Sequence, residues 1–201
     1  MDIQRTIENL KKKKYQVSFF ETAQEAAVYL DKKIDGKLIG FGDSESMLSL
    51  GLYEMFSKHN EVHDPMHCKE GENFLTTAKK CLTTDIFLTS VNALAETGEM
   101  VNVDGTGNRV AGSLFGHDKV YFVIGTNKIT PTLDEALYRA RNVAAPMNAA
   151  RHKYKTPCAV KQDKCYDCMS PDRICCGQLI YYQKMRNMEM EVVLINESLG
   201  L

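Results

Sequence analysis

An unbroken apolar run, Val120–Ile124 (VYFVI), constrains the fold of this chain more than any other segment. Five consecutive apolar and aromatic residues without polar alternation are typical of a strand in a parallel sheet that helices cover on both faces. The stretches between this run and the other apolar runs have helical spacing, so strands and helices alternate along the chain. The sequence therefore predicts an α/β fold, with a mainly parallel sheet and helices on both faces. The other predicted strands are Tyr15–Phe20, Lys37–Phe41, Asp85–Ser90 and Glu191–Ile195.

Two of the predicted helices carry start signals. Thr22 is followed three residues later by Glu25, the spacing of a capping box, in which each side chain accepts a hydrogen bond from the other residue's backbone N–H. Thr130 is expected to cap a helix over Pro131–Arg141, because a proline in the first turn lacks only an N–H that would be unpaired there. A helical pattern also covers Ser49–Ser57.

The length of 201 residues suits one domain over residues 1–201, interrupted by a cysteine-rich loop at about residues 157–177. The formal net charge of −1, without a basic stripe, lacks the electrostatic footprint of a nucleic-acid-binding protein. No segment approaches the ~20 apolar residues of a membrane span, and the first residues lack the apolar core of a signal peptide. We therefore expect a cytoplasmic protein with no nucleic-acid or membrane partner.

Five of the seven cysteines lie in that loop, with the spacing C-x6-C-x2-C-x6-C-C. Soft thiolates gathered in a polar loop bind zinc or an iron–sulfur cluster. Cys158, Cys165, Cys168 and Cys175 are the predicted ligands, and Cys176 is the weaker candidate because adjacent residues seldom direct both sulfurs to one ion. The alternatives are a disulfide-linked tail and a set of free thiols, although seven cysteines cannot all pair within one chain.

A glycine–serine turn, GFGDSES, ends the predicted strand Lys37–Phe41. It places Gly40 and Gly42 in a tight turn, and Ser44 and Ser46 where a helix begins. Ligands of open α/β sheets bind beyond the carboxyl ends of the strands, and free N–H groups at a helix start attract phosphate or carboxylate. These four residues are therefore candidate ligand-binding residues. The alternative is a serine that only caps the helix.

A second polar segment, Asn92–Arg109, directly follows the predicted strand Asp85–Ser90. Glu96 is the candidate catalytic residue, as a nucleophile or as an acid/base. Arg109 is expected to hold a substrate carboxylate or phosphate through two parallel hydrogen bonds. In the alternative, these polar residues only serve a glycine-containing hairpin turn, with Arg109 paired to Glu96 or Asp104. The other candidate ligand-binding residues in this segment are Thr97, Gly98 and Asn108.

The two polar segments must meet in space if they serve one function. Strands that run in the same direction in a parallel sheet end at the same edge, so we expect the segments to meet there. Arg109 should then face an open pocket that favours an anionic ligand.

The run AETGEMVNVDGTGNRVAGSLFGHDKVYFVIGTNKI resembles the LUD domain, a family of lactate-utilization proteins. The matching features are an A-x-TG motif, a glycine-bearing turn followed by Arg-Val, an apolar strand and a G-x-NKI-type loop. GFGDSES resembles the glycine–serine turn of the family, and PCAVKQDKCYDCMSPDRICC resembles the cysteine-containing tail of one of its branches. The resemblance covers nearly the whole chain. It implies the NagB/RpiA/CoA transferase-like fold that sugar-phosphate isomerases and CoA transferases share.

The resemblance also implies a function in lactate or related organic-acid utilization, with a small anionic metabolite bound at the strand ends. Lys128, in the G-x-NKI loop, joins the candidate ligand-binding residues on this basis. Glu96 falls near the position at which related CoA transferases have a catalytic glutamate. The implied protein partners are iron–sulfur subunits of a lactate-oxidising system. The alternative is a non-catalytic regulatory or scaffold subunit whose metal loop is structural, so whether the chain is an enzyme stays open.

Overall fold

The computed structural model describes residues 1–201 and places the predicted strands in one six-stranded parallel sheet. Ten strands are numbered in chain order: β1 (Gln16–Phe20), β2 (Leu38–Phe41), β3 (Glu61–His63), β4 (Ile86–Thr89), β5 (Ala93–Ala95), β6 (Met100–Asp104), β7 (Lys119–Gly125), β8 (Ile129–Thr130), β9 (Gly177–Tyr181) and β10 (Glu189–Ile195). The large sheet has the order β1-β10-β7-β4-β2-β3, and all its neighbouring strands are parallel. This confirms the predicted fold class.

Helices occupy most of the connections between these strands. They are α1 (Ile3–Lys12), α2 (Ala23–Lys33), α3 (Glu45–Ser49), α4 (Leu52–Phe56), α5 (Phe74–Cys81), α6 (Asn108–Leu114), α7 (Leu133–Arg139), α8 (Ala145–Arg151) and α9 (Pro157–Lys161). A single 3-10 turn, Thr126–Lys128, follows β7, and a π-helical segment, Ala140–Ala144, joins α7 to α8. No helix has both the length and the apolar character needed to cross a membrane.

Both faces of the parallel sheet are buried, as the apolar run in β7 predicts. Tyr121 and Val123 belong to a core cluster on one face, together with Leu30 of α2 and Phe56 of α4. Phe122, from the same strand, belongs to the cluster on the other face, which α1 and β9 help to form. Successive residues of a strand point to opposite faces, so one uninterrupted apolar strand supplies both clusters.

A second sheet of four short strands, with the order β8-β5-β6-β9, packs beside α7. Ala93 and Ala95 of β5 and Val101 of β6 form a small core with Ala136 and Ala140. The short apolar stretch between Gly98 and Asp104 predicts the β6 strand, and no other strand of this sheet is predicted from the sequence. β8 and β5 have only two and three residues, which is too short for a periodic pattern, and β9 directly follows the cysteine-rich loop.

The helix caps follow the sequence in one case and depart from it in the other. Thr22 and Glu25 form the predicted capping box at the start of α2. The prediction that Thr130 caps the next helix is wrong, because the side chain of Thr132 caps α7 and Thr130 belongs to β8. The physical reason is Pro131, which disfavours helical dihedrals at the preceding residue and so delays the helix start.

Two further expectations change in detail. The segment Ser49–Ser57 forms no single helix, because α3 and α4 are separated by Gly51 in the left-handed region, at φ 62°. The glycine-rich turn after β6 is not the tip of a hairpin, since Asn108 begins α6 there. The hairpin lies one strand earlier, where β5 and β6 pair in antiparallel orientation around Gly98.

Candidate functional site

A cavity of about 350 Å³ lies at the carboxyl edge of the parallel sheet. Its lining comes from the segments that follow β2, β4, β6 and β7, so the glycine–serine turn and the turn after β6 meet here, although some sixty residues separate them in the chain. The structure thus brings together four of the candidate ligand-binding residues. These are Ser44, Asn108, Arg109 and Lys128.

Lys128 is the most buried charged residue of the cavity, with 3% of its surface exposed. It ends the 3-10 turn after β7, where its Nζ donates hydrogen bonds to Ser46 Oγ at 3.0 Å and Ser90 Oγ at 3.1 Å. No carboxylate lies within ion-pairing distance of Nζ. Burial is the main cause that lowers the pKa of Lys128 to about 7, and the positive charges of Arg139 and Arg109 act in the same direction. When it is protonated, Lys128 is therefore a cation without a counter-charge at the cavity.

Arg109 stands on the first turn of α6 and faces the same cavity. Its Nη2 donates to the backbone carbonyl of Val103 at 2.5 Å, and its Nε lies 3.6 Å from Oδ2 of Asp104. That carboxylate also accepts backbone N–H groups of the turn from Thr106, Gly107 and Val110. The sequence left open whether Arg109 faces a ligand pocket or pairs with Asp104 in the turn. In the structure it does both. A guanidinium has five N–H donors, so donors remain for a ligand.

Three polar lining residues, Asp43, Ser90 and Arg151, are not among the candidate ligand-binding residues predicted from the sequence. Asp43 lies in the quoted turn, in the left-handed region at φ 47°, and burial raises the pKa of its carboxyl against the opposing effect of Arg109 and Arg151. Arg151, at the end of α8, forms an ion pair with Glu45 of α3. Ser90 directly follows β4. The position of Asp43 between Gly42 and Ser44, within the glycine–serine turn, could have identified it as a candidate. Nothing in the local sequence distinguishes Arg151 from other surface arginines.

The two glycines of the turn serve packing. A Cβ on Gly40 would come within 2.7 Å of the backbone carbonyl oxygen of Cys81, and a Cβ on Gly42 within 2.8 Å of Thr89 Oγ1. Neither glycine lines the cavity. Their absence of a side chain lets β2 approach α5 and β4 closely, and this approach places the following serines at the sheet edge.

The serines of the turn do not act as simple helix caps. The side chain of Ser44 makes no capping hydrogen bond, although the residue is the N-cap of α3. Ser46 is fully buried and accepts from Lys128. Helix α3 has only five residues, so the positive potential at this edge comes from Lys128 and Arg109 rather than from a helix dipole.

Glu96, Thr97 and Gly98 lie away from the cavity, in the turn between β5 and β6. Oε1 of Glu96 accepts the backbone N–H of Asp2 at 2.8 Å and lies 3.7 Å from the amino group of Met1. The structure therefore does not bring the candidate catalytic glutamate to the other candidate residues. The N–H of Glu96 donates to the carbonyl oxygen of Thr130 in β8 at 2.8 Å. The turn also packs against Asn9 and Lys13, at the end of α1, through Gly98, and Thr97 forms a hydrogen bond with Glu99.

The four cysteines predicted as metal ligands line one small cavity between α8, α9 and the loop that precedes β9. Cys176 does not line it and is exposed. All seven cysteines are free thiols, so the disulfide alternative is absent from this structure. In this conformation no group of three or more His, Cys, Asp or Glu side chains lies close enough to share a metal ion. The lining cysteines are Cys158, Cys165, Cys168 and Cys175.

Two arginines surround this cysteine cavity. Arg173 donates to the backbone carbonyls of Cys168 at 2.7 Å and Cys175 at 3.1 Å, and thereby holds the loop around the sulfurs. Arg141 also lines the cavity, and both arginines donate to Oδ1 of Asp167, Arg141 at 2.6 Å and Arg173 at 3.3 Å. Burial raises the pKa of the Cys175 thiol, and the positive charge of Arg173 opposes that shift. The donor set is soft and its surroundings are positively charged, which suits clustered thiolates.

The two cavities share a wall. Ala145 and Ile174 line both of them. The backbone of Ile174 lies close to Gly105, and a Cβ on Gly105 would be only 2.7 Å from the carbonyl oxygen of Ile174. The N–H of Cys176 bonds to the carbonyl oxygen of Asp104 at 3.0 Å. The cysteine loop is therefore attached to the same turn that positions Arg109.

Comparison with known proteins gives one matching sequence family and one matching structure. The sequence profile of the LUD domain family matches residues 3–195. The crystal structure of a DUF162 family protein from Deinococcus radiodurans superimposes with a TM-score of 0.53 at 12% sequence identity, covering 96% of this chain and 95% of that chain. No functionally curated protein matches the chain.

Proposed function

The chain belongs to the LUD domain family, whose members are linked to lactate utilization, and from that premise we propose that it binds a small anionic metabolite of organic-acid metabolism in the cavity at the strand ends. The observation that carries the proposal is the pair of cationic side chains, Arg109 and Lys128, in one cavity at the carboxyl edge of the parallel sheet; Lys128 follows β7 of that sheet, and Arg109 follows β6 of the second sheet. Ligands of open α/β sheets bind at such edges.

The distribution of charge around the cavity supports an anion. Two of its three carboxylates are already engaged, Glu45 with Arg151, and Asp104 with backbone amides and Arg109. Burial raises the pKa of the third, Asp43, against the opposing positive charges of Arg109 and Arg151. The ammonium of Lys128 has only hydroxyl acceptors. In its protonated form, Lys128 is therefore the cation of the cavity that no carboxylate of the protein pairs with.

Ligand binding to the wild type and to Arg109→Ala tests this proposal. Thermal stabilisation and calorimetric titration with lactate, pyruvate, CoA and sugar phosphates should identify at least one acid that stabilises the wild type. Arg109→Ala should weaken its binding by more than ~1.5 kcal/mol, the lower end for hydrogen bonds to charged groups. Arg5→Ala, an exposed substitution on α1, is the matched control and should bind as the wild type does. Equal binding of every acid by Arg109→Ala and wild type would contradict the proposal.

We also propose that Cys158, Cys165, Cys168 and Cys175 hold one metal centre, either zinc or an iron–sulfur cluster. The support is that these four, and not Cys176, line one cavity flanked by Arg141 and Arg173. When bound, zinc would order the loop, whereas an iron–sulfur cluster would supply electron transfer. The two arginines would offset the negative charge of the thiolates.

Metal analysis after anaerobic purification tests the metal centre. The wild type should retain zinc or iron in a fixed ratio to protein, and a brown colour would indicate an iron–sulfur cluster. Cys168→Ser should lose the metal, whereas Cys176→Ser should keep it because Cys176 lies outside the cavity. A metal-free wild type that also fails to take up zinc or reconstituted iron and sulfide would disprove it.

A regulatory or scaffold role without turnover is the second candidate function. The position of Glu96 favours it, because the carboxylate is bound by the backbone of Asp2 outside the cavity. In this case the cavity binds a metabolite, and the cysteine loop contacts partners such as the iron–sulfur subunits of a lactate-oxidising system. Co-purification of such subunits that depends on the ligand, without conversion of the ligand, would favour this role.

A further inference from the structure

We propose that Lys128 is a nucleophilic amine that forms an imine with a small 2-oxo acid bound in the cavity. The inference rests on the proposed function, because the carboxylate of that acid would be held by Arg109. It goes further by assigning a covalent role to one side chain and by requiring a carbonyl group next to the carboxylate of the ligand.

The surroundings of Lys128, which follows β7, differ from those of Lys119, the first residue of β7. Lys119 begins β7 at the opposite edge of the sheet and forms an ion pair with Glu191 at 2.7 Å. Lys128, just beyond the end of β7, is more deeply buried and has only Ser46 and Ser90 as partners. A buried charge without a counter-charge is costly, so its persistence at a cavity wall points to a use for the amine.

The unprotonated amine is the nucleophile in imine formation. Burial and the two nearby arginines lower the pKa of Lys128 to about 7, so a large fraction of the side chain is neutral at neutral pH. The hydroxyls of Ser46 and Ser90 keep Nζ in place at 3.0 and 3.1 Å. The other charged or titratable side chains that line the cavity, besides Arg109, are Asp43, Glu45, Asp104, Arg151, His152 and Tyr154.

The step balances without an oxidant or reductant. The lone pair of Nζ forms a bond to the carbonyl carbon while the C=O π bond breaks, and one proton passes from Nζ to the carbonyl oxygen to give a carbinolamine. The C–O bond then breaks, the hydroxyl group leaves as water with the second proton of Nζ, and a C=N bond between Lys128 and the acid remains. The serine hydroxyls that bond to Nζ are in place to receive and return protons. Arg109 stays bound to the carboxylate throughout.

Borohydride trapping tests the inference. The protein is incubated with pyruvate, reduced with borohydride, and examined by intact mass and peptide mapping. We expect one stable adduct, located on Lys128 and absent from Lys128→Arg and Lys128→Met. Lys37→Met removes an exposed lysine next to the amino end of β2, at the opposite edge of the sheet, and should give the full adduct. Lactate, which has no carbonyl carbon of this kind, should give none.

The outcomes separate this inference from the proposed function. If pyruvate stabilises the wild type but trapping labels only surface lysines, or labels Lys128→Arg equally, the imine is disproved and the anion site stands. If no acid binds and no adduct forms, both fail. Peptide mapping of the wild type decides the case even if Lys128→Met does not fold.

The pH dependence of trapping gives a second readout that a structural lysine would not show. The yield should rise as the pH passes through about 7, because the pKa of Lys128 lies there and only the neutral amine attacks. Ser90→Ala removes an acceptor that stabilises the ammonium, so it should shift this midpoint to lower pH. A yield that rises only at strongly alkaline pH, where ordinary lysines lose their protons, would overturn the inference.

Discussion

The parallel sheet and the cysteine segment, residues 157–177, are stabilised in different ways. In β7, every residue from Val120 to Gly125 is buried, and the strand is bonded on both sides. In the cysteine segment only Ala159 is buried, while Val160 and Met169 are 71% and 93% exposed. The sheet is stabilised by apolar burial. The segment is held mainly by the hydrogen bonds of Arg173 and its neighbours, which explains why it would gain most from a bound metal.

The largest difference should appear on truncation of one apolar side chain in each region. Phe122→Ala removes a fully buried ring that packs edge-on against Tyr181. Its free energy of unfolding should fall by about 3–5 kcal/mol. Met169→Ala should change it by less than ~0.5 kcal/mol, as exposed substitutions do. Urea unfolding followed by circular dichroism gives both values, and similar losses in the two variants would break the comparison.

The same contrast explains how much the sequence could predict. A strand with two buried faces leaves an unbroken apolar run, so β7 and its parallel neighbours are visible in the sequence. The edge at which ligands bind follows from strand direction, which places Ser44 there after β2, whereas Arg109 follows β6 of the second sheet and reaches the cavity through the packing of the two sheets. The four cysteines are visible because of their spacing. That they line one cavity depends on α8 and α9, whose placement no local pattern specifies.

The parts that could not be predicted depend on tertiary contacts. Glu96 reads as an exposed polar residue at a strand end, but α1 packs over it and its carboxylate binds the backbone of Asp2. The partnership of Lys128 with Ser46 and Ser90 joins segments 38 and 82 residues apart. Arg151 reaches the cavity from the end of α8, where its sequence resembles any exposed helix terminus.

A glycine at the sheet edge should give the next largest effect. In Gly40→Ala, the new Cβ would lie 2.7 Å from a backbone oxygen of α5, which cannot move as a flexible side chain would. We expect a loss of about 1–3 kcal/mol in unfolding free energy from overpacking. Gly177→Ala, where the new Cβ would meet only the carbonyl oxygen of Asp104 at 4.0 Å and φ is not in the left-handed region, is a control for the introduction of a methyl group alone. Unimpaired stability of Gly40→Ala would show that β2 and α5 can separate without loss.

The sheet should also have a buried acid-sensitive component, whereas the carboxyl with a lowered pKa in the cysteine segment, Asp163, is exposed. Glu191 of β10 is buried, and although burial alone would raise its pKa, hydrogen bonds from Lys119, Tyr29, Lys33 and Ser18 lower it to about 2. A carboxyl with a depressed pKa adds stability above its unfolded value of 4.5, and this stability is lost as the pH falls toward 2. Glu191→Gln should therefore be less stable at neutral pH and should lose less between pH 4.5 and 2. Parallel urea-midpoint curves for variant and wild type would contradict this.

The smallest change in global stability is expected for Arg173→Ala, in which the bonds to the carbonyls of Cys168 and Cys175 are lost. Because the segment contributes little to the core, the urea midpoint should stay unchanged, whereas trypsin should cleave faster after the exposed residues Lys161 and Lys164. Arg186→Ala, at an exposed site outside the segment, should leave both quantities unchanged.

Zinc or a reconstituted cluster should restore resistance to trypsin in Arg173→Ala if the four cysteines bind it, since metal ligation would replace the lost hydrogen bonds as the constraint on the loop. A cooperative loss of global stability in Arg173→Ala would instead mean that the segment and the sheet unfold as one unit.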